Sequence, residues 1–302
     1  MLRFIDTVQA RRRKDLVIFH EFPLQGSSIG WTREEQMKVA IEIPGEETEI
    51  IGQKAKQYNC YIEFGVRGIL KDWPGHFLYL GLIVGPGGDI VHTRWKTRNM
   101  AGIGYTTNIY DVLDEYVARY GWDAVFPVAR TDIGNLAILP ETLEPEMGRA
   151  FAIKGAEIII RYMTYGAGHW STRPFSYRGG LGDTYRLDLQ ATCLQNSIYG
   201  AFVNNALVPT EVFNDYGAGR SSIIDHDGRI IAEAASAHET VVEAVIPIAS
   251  FRKTHSIPKI PKELYTDLFQ QYVSKYPPNS FLKSMPDTNQ DSLSHYQNLA
   301  RW

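Results

Sequence analysis

An α/β fold with helices laid over its sheets is what this sequence predicts, on three observations. Short apolar runs of strand length alternate with helix-length amphipathic stretches along most of the chain. Two breaks between apolar runs, PGGD at 86–89 and HDG at 226–228, are tight-turn signals, the second with the Asp-Gly pair of a two-residue hairpin loop. No low-complexity linker divides the chain, and 302 residues at 44% hydrophobic and 22% charged are enough to bury a large core without staples.

The elements follow in order. MLRFIDTVQARRRK predicts a helix over 2–14, whose closing cations, Arg11, Arg12, Arg13 and Lys14, complement the helix dipole; a solvated helix end is the first reading of that run and an anion-binding patch the second. DLVIFHEF (15–22) reads as a strand and 46–58 as a helix. YIEFGVRGIL (61–70), FLYLGLIV (77–84) and DIVHTRW (89–95) read as strands, and 109–120 as a helix. GNLAIL (134–139) is a strand, followed by a helix at 144–154 that opens on acids and Pro145 and stops at Gly155. The pattern continues with a strand at 157–163, a helix at 181–198, and strands at 199–207, 220–225, 229–234 and 240–248. A last helix is expected near 262–275. From about 252 the chain carries Pro258, Pro261, Pro277 and Pro278 and few strand signals. Residues 1–255 are therefore expected to form one domain, with 256–302 an extension that packs on the body or on a partner subunit.

Composition narrows the function classes. A formal charge of -3 gives no global basic field, so a small-molecule ligand is expected rather than nucleic acid or membrane. Cys60 and Cys193 have no metal-ligand spacing, and the eight histidines are scattered, so neither a disulfide framework, a metal site nor a cofactor is expected. P-loop, dinucleotide and GxSxG patterns are absent. With no apolar run of membrane-spanning length and no long apolar leader, a soluble, cytoplasmic protein is expected.

Four segments carry a resemblance. DLVIFHEFPLQG, RWKTRN, PEMGRAFAIKGAEIIIRYMTYG and GRSSIIDHDGRIIAEA, in this order between about residues 2 and 255, are similar to segments of the nitrilase superfamily of carbon–nitrogen hydrolases, most of all its aliphatic amidase and formamidase branch. The resemblance implies a four-layer α-β-β-α sandwich that dimerises through its helices. It places the family's catalytic glutamate on Glu21 and its catalytic lysine on Lys96. In that family a glutamate deprotonates a cysteine, the thiolate attacks an amide or nitrile carbon, and a lysine stabilises the charge that develops.

The same resemblance exposes departures. The family's cysteine lies six residues before the Pro-Glu that opens the next helix, a position held here by Leu139, which has no acidic proton and no lone pair. The following residue, whose N–H helps hold the oxyanion in the family, is Pro140, which has none. Losing one such donor typically costs about 2.7–4 kcal/mol of transition-state stabilisation. Glu141, two residues past the lost nucleophile, is expected to hydrogen-bond within the pocket, and Thr142 is close enough to enter it. The family's second glutamate falls on Gly104, and the inserted NIYDVLDEYVARYG offers Glu115, with Asp111 and Asp114, as a candidate against a plain solvated helix face. Arg161, Tyr162 and Tyr165 follow the pocket-lining strand and are candidates for ligand contact or for interface packing. Family members also open with a central strand before the first helix, so a longer natural start is expected.

Two readings stand side by side. In one, the protein has lost thiol hydrolysis and binds a small amide-like or carboxylate ligand. In the other, Glu21, Lys96 and Glu141 act on substrate or water directly. A third, conventional thiol chemistry from Cys193, requires that a cysteine in a predicted structural helix reach the site.

Overall fold

The computed structural model describes residues 1–26, 31–98, 106–141, 143–164, 181–206 (backbone only for 181–183), 219–274, 277–282, 285–288, 290–291 and 294. Its strands are β1 (Leu16–Ile18), β2 (Ile41–Glu42), β3 (Tyr61–Ile69), β4 (Leu78–Val84), β5 (Ile90–Trp95), β6 (Ala129–Thr131), β7 (Gly134–Ile138), β8 (Ile158–Met163), β9 (Tyr199–Asn204), β10 (Ser222–Ile224) and β11 (Ile230–Glu233). The helices are α1 (Leu2–Arg11), α2 (Arg33–Val39), α3 (Glu46–Tyr58), α4 (Leu113–Tyr120), α5 (Pro145–Ile153), α6 (Leu181–Asn196), α7 (Ile248–Thr254) and α8 (Glu263–Gln271).

The strands make two sheets. The first runs β1-β3-β4-β5, with β2 also paired to β3, and the second runs β11-β10-β9-β8-β7-β6. Strand periodicity sends alternate side chains to opposite faces. From β3 and β4, Ile62, Phe64, Val66, Leu78, Leu80 and Leu82 pack with Ile5 of α1 and Ile51 and Ala55 of α3. Tyr61 and Ile83, of opposite phase, pack with Leu136, Ile138, Ile158, Ile160 and Tyr162 of the second sheet. The other face of that sheet, with Ala137, Ile159 and Phe202, meets Phe151 of α5 and Leu189 and Cys193 of α6. The four layers expected from the resemblance are thus present, in the order α-β-β-α. Close approach of the sheets depends on Gly81, where a Cβ would meet Ile138 and the Tyr162 hydroxyl at 2.8 Å.

Both turn signals close antiparallel hairpins, β4 with β5 and β10 with β11, with Gly88 at φ 93° and Gly228 at φ 77°. One expected strand is corrected: residues 240–247 join neither sheet, and 248–254 are helical. The apolar alternation of TVVEAVIPI is real, but no ladder takes it up. Val241 and Val245 are left exposed, while Ile246 and Ile248 lean on the core between the sheets. The helix over 33–39 was not anticipated, although TREE at 32–35 spells the capping box that starts it, with Glu35 N–H donating to Thr32 Oγ1 and Thr32 N–H donating back to Glu35. Beyond α8, Asn279 N–H donates to the Tyr110 carbonyl, and Phe281 is buried in the core of the first sheet.

Candidate functional site

Four polar side chains converge where strands end. Glu21 lies three residues past β1, Lys96 follows β5, Glu141 lies three residues past β7, and Thr164 follows β8. Parallel pairing of β1 with β3 and of β7 with β8 brings their carboxyl ends to a shared rim, the usual place for ligands in α/β sheets. The chain at Glu21 lies against β3 because residue 65 is glycine: a Cβ there would meet the Glu21 carbonyl oxygen at 2.3 Å.

Glu21 is buried. Its Oε1 stands 4.0 Å from Lys96 Nζ, and its Oε2 accepts a 3.0 Å hydrogen bond from Thr164 Oγ1. Burial raises its pKa above the ordinary carboxylate value; Lys96, the Thr164 hydroxyl and Arg67 pull the other way, and Glu141 adds to the rise. The group is therefore a stronger base than a solvated glutamate, held beside an ammonium.

Glu141 sits in the same neighbourhood with a different partner set. Its Oε1 accepts from Arg94 Nη2 at 3.1 Å and from the Thr97 backbone N–H at 2.5 Å. Its Oε2 is buried with no protein partner among the described residues, as are Nε and Nη1 of Arg94. Arg94 follows from strand phase: it pairs with Gly81 across β4–β5, on the face that meets the second sheet. The sequence reading missed Arg94, and also Glu144, at the start of α5. Glu144 faces Arg98 Nε at 2.9 Å. Burial pushes its carboxyl up to about 7, with Arg98 and Lys96 opposing and Glu141 and Glu146 adding.

A folded-state pKa above the unfolded one means that the native form binds the extra proton. The stability linked to Glu144 is therefore complete below the ordinary value of 4.5 and falls as pH rises through about 7. Denaturant titrations at pH 5 and pH 8 should show a smaller loss in Glu144→Gln than in the parent; an identical loss would refute the assignment.

Leu139 does not enter this polar cluster. Its side chain is buried on the helix side of the second sheet with Met147, Phe151, Leu189 and Cys193. Its backbone is held on both sides, the N–H donating to the Ile160 carbonyl at 2.8 Å and the carbonyl accepting from Arg161 Nε at 3.3 Å.

A family model for carbon–nitrogen hydrolase matches residues 2–256. The chain belongs to the carbon–nitrogen hydrolase family. An omega-amidase of Xenopus laevis is 25% identical over 213 residues, covering 69% of each chain. A formamidase of Bacillus thuringiensis (strain Al Hakam) is 25% identical over 228 residues, and the match spans 72% of this chain but 58% of the formamidase. A carbon–nitrogen hydrolase from Helicobacter pylori G27 superposes with a TM-score of 0.63 at 15% identity, over 89% of this chain and 87% of its own. Nit3 of Saccharomyces cerevisiae, described as a member of branch 10 of the nitrilase superfamily, gives 0.63 at 17% identity, over 85% and 87%. A variant of the amidase of Nesterenkonia sp. AN1, with the acetamide moiety of fluoroacetamide added covalently at its active-site cysteine, gives 0.59 at 15% identity, over 88% and 89%. At these identities the solved structures establish a shared fold.

Within this member of the carbon–nitrogen hydrolase family, the remaining candidates separate. Tyr162 points between the sheets, where Glu63, Glu21 and Glu141 all act on its hydroxyl and burial raises its pKa well above the ordinary value. Its neighbour Arg161 has the opposite phase and is committed to internal partners, donating to Asp188 Oδ2 at 2.5 Å and to the Tyr185 carbonyl at 3.1 Å as well as to Leu139. Glu115 lies on the surface of α4, paired with Arg119 one turn on, and is not brought to Glu21. Asp111 is buried, accepting from the Asn108 N–H and amide, and Asp114 N–H donates to Asn279. Thr142, Tyr165 and Gly104 lie outside the described residues. Cys60 and Cys193 are free and buried in different apolar clusters, each on the helix side of its sheet, and burial raises both thiol pKa values. Among the described residues no three His, Cys, Asp or Glu side chains are grouped to hold a metal ion, and no helix is long and apolar enough to cross a membrane.

Proposed function

We propose that this carbon–nitrogen hydrolase homologue does not use thiol chemistry and binds a small amide-like or carboxylate ligand at the cluster of Glu21, Lys96 and Glu141. The observation that carries this reading is the packing of Leu139: the residue that the resemblance puts at the family's nucleophile position has an aliphatic side chain buried in the helix-side core. Pro140 after it contributes no N–H to an oxyanion. What remains is recognition chemistry. Lys96 Nζ can donate to a ligand oxygen, and Glu21, already anchored by Thr164, can accept from an amide N–H.

Intact-mass spectrometry after incubation with short amides and nitriles, paired with calorimetric titration of the same compounds, tests this. The expected result is saturable binding that is lost in Lys96→Met, with no acyl mass on the protein. Leu139→Cys alone should gain no amidase activity. Turnover accompanied by an acyl adduct on Cys60 or Cys193, abolished by iodoacetamide, would overturn the reading.

One observation favours a second reading. The raised pKa of Glu21 beside an ammonium suits a general base that activates water directly, without a covalent intermediate. Turnover with no adduct that disappears in Glu21→Gln is the result that selects it. For assembly we propose a homodimer through the helices over the second sheet, where Ile153 of α5 and Leu187 and Leu194 of α6 are exposed. Light scattering of the purified chain decides this.

A further inference from the structure

Four arginines of the described residues are almost wholly buried: Arg67, Arg94, Arg161 and Arg186. Three of them have a carboxylate within ion-pair distance, Arg94 with Glu141, Arg161 with Asp188 and Arg186 with Glu233. Arg67 has none among the described residues. Its Nη1 donates to the Gly26 carbonyl at 2.6 Å, and its Nε is buried with no partner. The stretch that follows Gly26, SSIG at 27–30, contains no acidic residue. A guanidinium cannot shed its proton to escape burial, so an isolated one is costly unless an anion meets it.

The surroundings of Arg67 show where that anion would sit. Arg67 stands opposite Tyr79 across β3–β4, and the Tyr79 carbonyl accepts from the Lys96 N–H at 3.0 Å, so the three residues form one row across the first sheet. The guanidinium carbon lies 5.8 Å from the centre of the Tyr79 ring, and Lys96 Nζ lies 5.4 Å from that same centre. Phe22, next to Glu21, covers the guanidinium at 4.1 Å, and Trp31 lies at 6.0 Å. Arg67 also lowers the Glu21 pKa, as Lys96 does. Two cations therefore flank a single aromatic ring, with Glu21 the acid they share and Glu141 already paired with Arg94.

We propose that Arg67 is a specificity-determining residue, binding a carboxylate on a ligand whose other end reaches Lys96 and Glu21. A planar carboxylate matches the fork of the guanidinium, whose Nε lacks a protein acceptor. A shared ring between the two cations limits the spacer to a few carbons. Phe22, with its ring centre 4.1 Å from the guanidinium carbon, restrains the side chain, so little of its freedom is lost on binding. This rests on the reading that Glu21, Lys96 and Glu141 form a ligand site, and it goes beyond it by choosing an anionic ligand over a neutral one.

Titration calorimetry with a matched pair tests it: the monoamide of succinic acid, which carries one carboxylate, and the neutral diamide. The parent protein should bind the monoamide tighter by on the order of 30-fold or more. Arg67→Met should erase that preference, and Arg67→Lys should restore only part of it. Equal affinity in the parent refutes the proposal without any variant, so it stays falsifiable even if Arg67→Met fails to fold. Equal affinity of the parent for both compounds would sink the role of Arg67 and leave the ligand site standing. Binding of neither compound would sink the ligand site and this inference together.

Discussion

Glu141→Ala lowers the stability of the folded chain by about 3–5 kcal/mol, the range for stranding one member of a buried ion pair. The reason lies in what the carboxylate leaves behind. Arg94 is fully buried on the inner face of the first sheet, its Nη2 donates to Glu141, and its Nε and Nη1 have no other protein partner among the described residues. The Thr97 N–H loses its acceptor in the same stroke. The Arg94 guanidinium lies 5.3 Å from the Phe151 ring, a contact too weak to replace a carboxylate. Urea titrations of four proteins measure the effect: the parent, Glu141→Ala, Arg94→Met and the double variant. The double variant should be more stable than Glu141→Ala, because it removes the stranded charge as well. A loss below about 1 kcal/mol in Glu141→Ala, or a double variant no better than it, contradicts the argument.

Glu63→Met moves stability the other way and changes how it responds to pH. Glu63 is fully buried on β3, and neither carboxylate oxygen has a protein hydrogen-bond partner among the described residues. Burial alone raises its pKa well above the ordinary 4.5. Methionine has the same unbranched shape and no group to desolvate, so the substitution should stabilise by about 1–3 kcal/mol near neutral pH, the cost of an unsatisfied buried polar group. The direction of the pH effect follows from linkage. With the folded pKa raised, the native state keeps a proton that the unfolded chain releases above 4.5, so stability is greatest below that pH and declines as pH rises towards the folded value. Glu63→Met should flatten this part of the profile in denaturant midpoints taken from pH 4.5 to 8. A variant less stable than the parent across that range would mean that Glu63 has a stabilising partner.

The two experiments probe the same interior from opposite ends. At Glu141 the sheet interface buries a charge with its partner, whereas at Glu63 it buries an acid without one. Tyr162, whose hydroxyl lies over Gly81, feels Glu63, Glu21 and Glu141, so all three acids belong to one polar region between the sheets. Glu63→Met should therefore change the environment of the site while leaving Lys96, Thr164 and Arg94 in place.

The alternation of apolar runs with amphipathic stretches, the Gly-bearing turns at 86–89 and 226–228, and the Pro145 start of α5 were enough for the sequence by itself to determine the layered α/β plan. Those signals are local, since strand period, turn conformation and helix capping act over a few residues. Glu21 and Lys96 were also legible, each at a strand end within a segment similar to a known family. Which face a side chain takes was not. β7 and β8 are buried on both faces, so Leu136–Ile138 and Ile158–Ile160 are continuous apolar runs with no polar stripe to mark the outer face. Only the tertiary structure decided that Leu139 and Arg161 turn toward the helices while Tyr162 turns inward. Arg67, Arg94 and Glu144 escaped notice for a related reason: what a buried charge does depends on the partners that distant strands bring to it, and sequence neighbours do not carry that information.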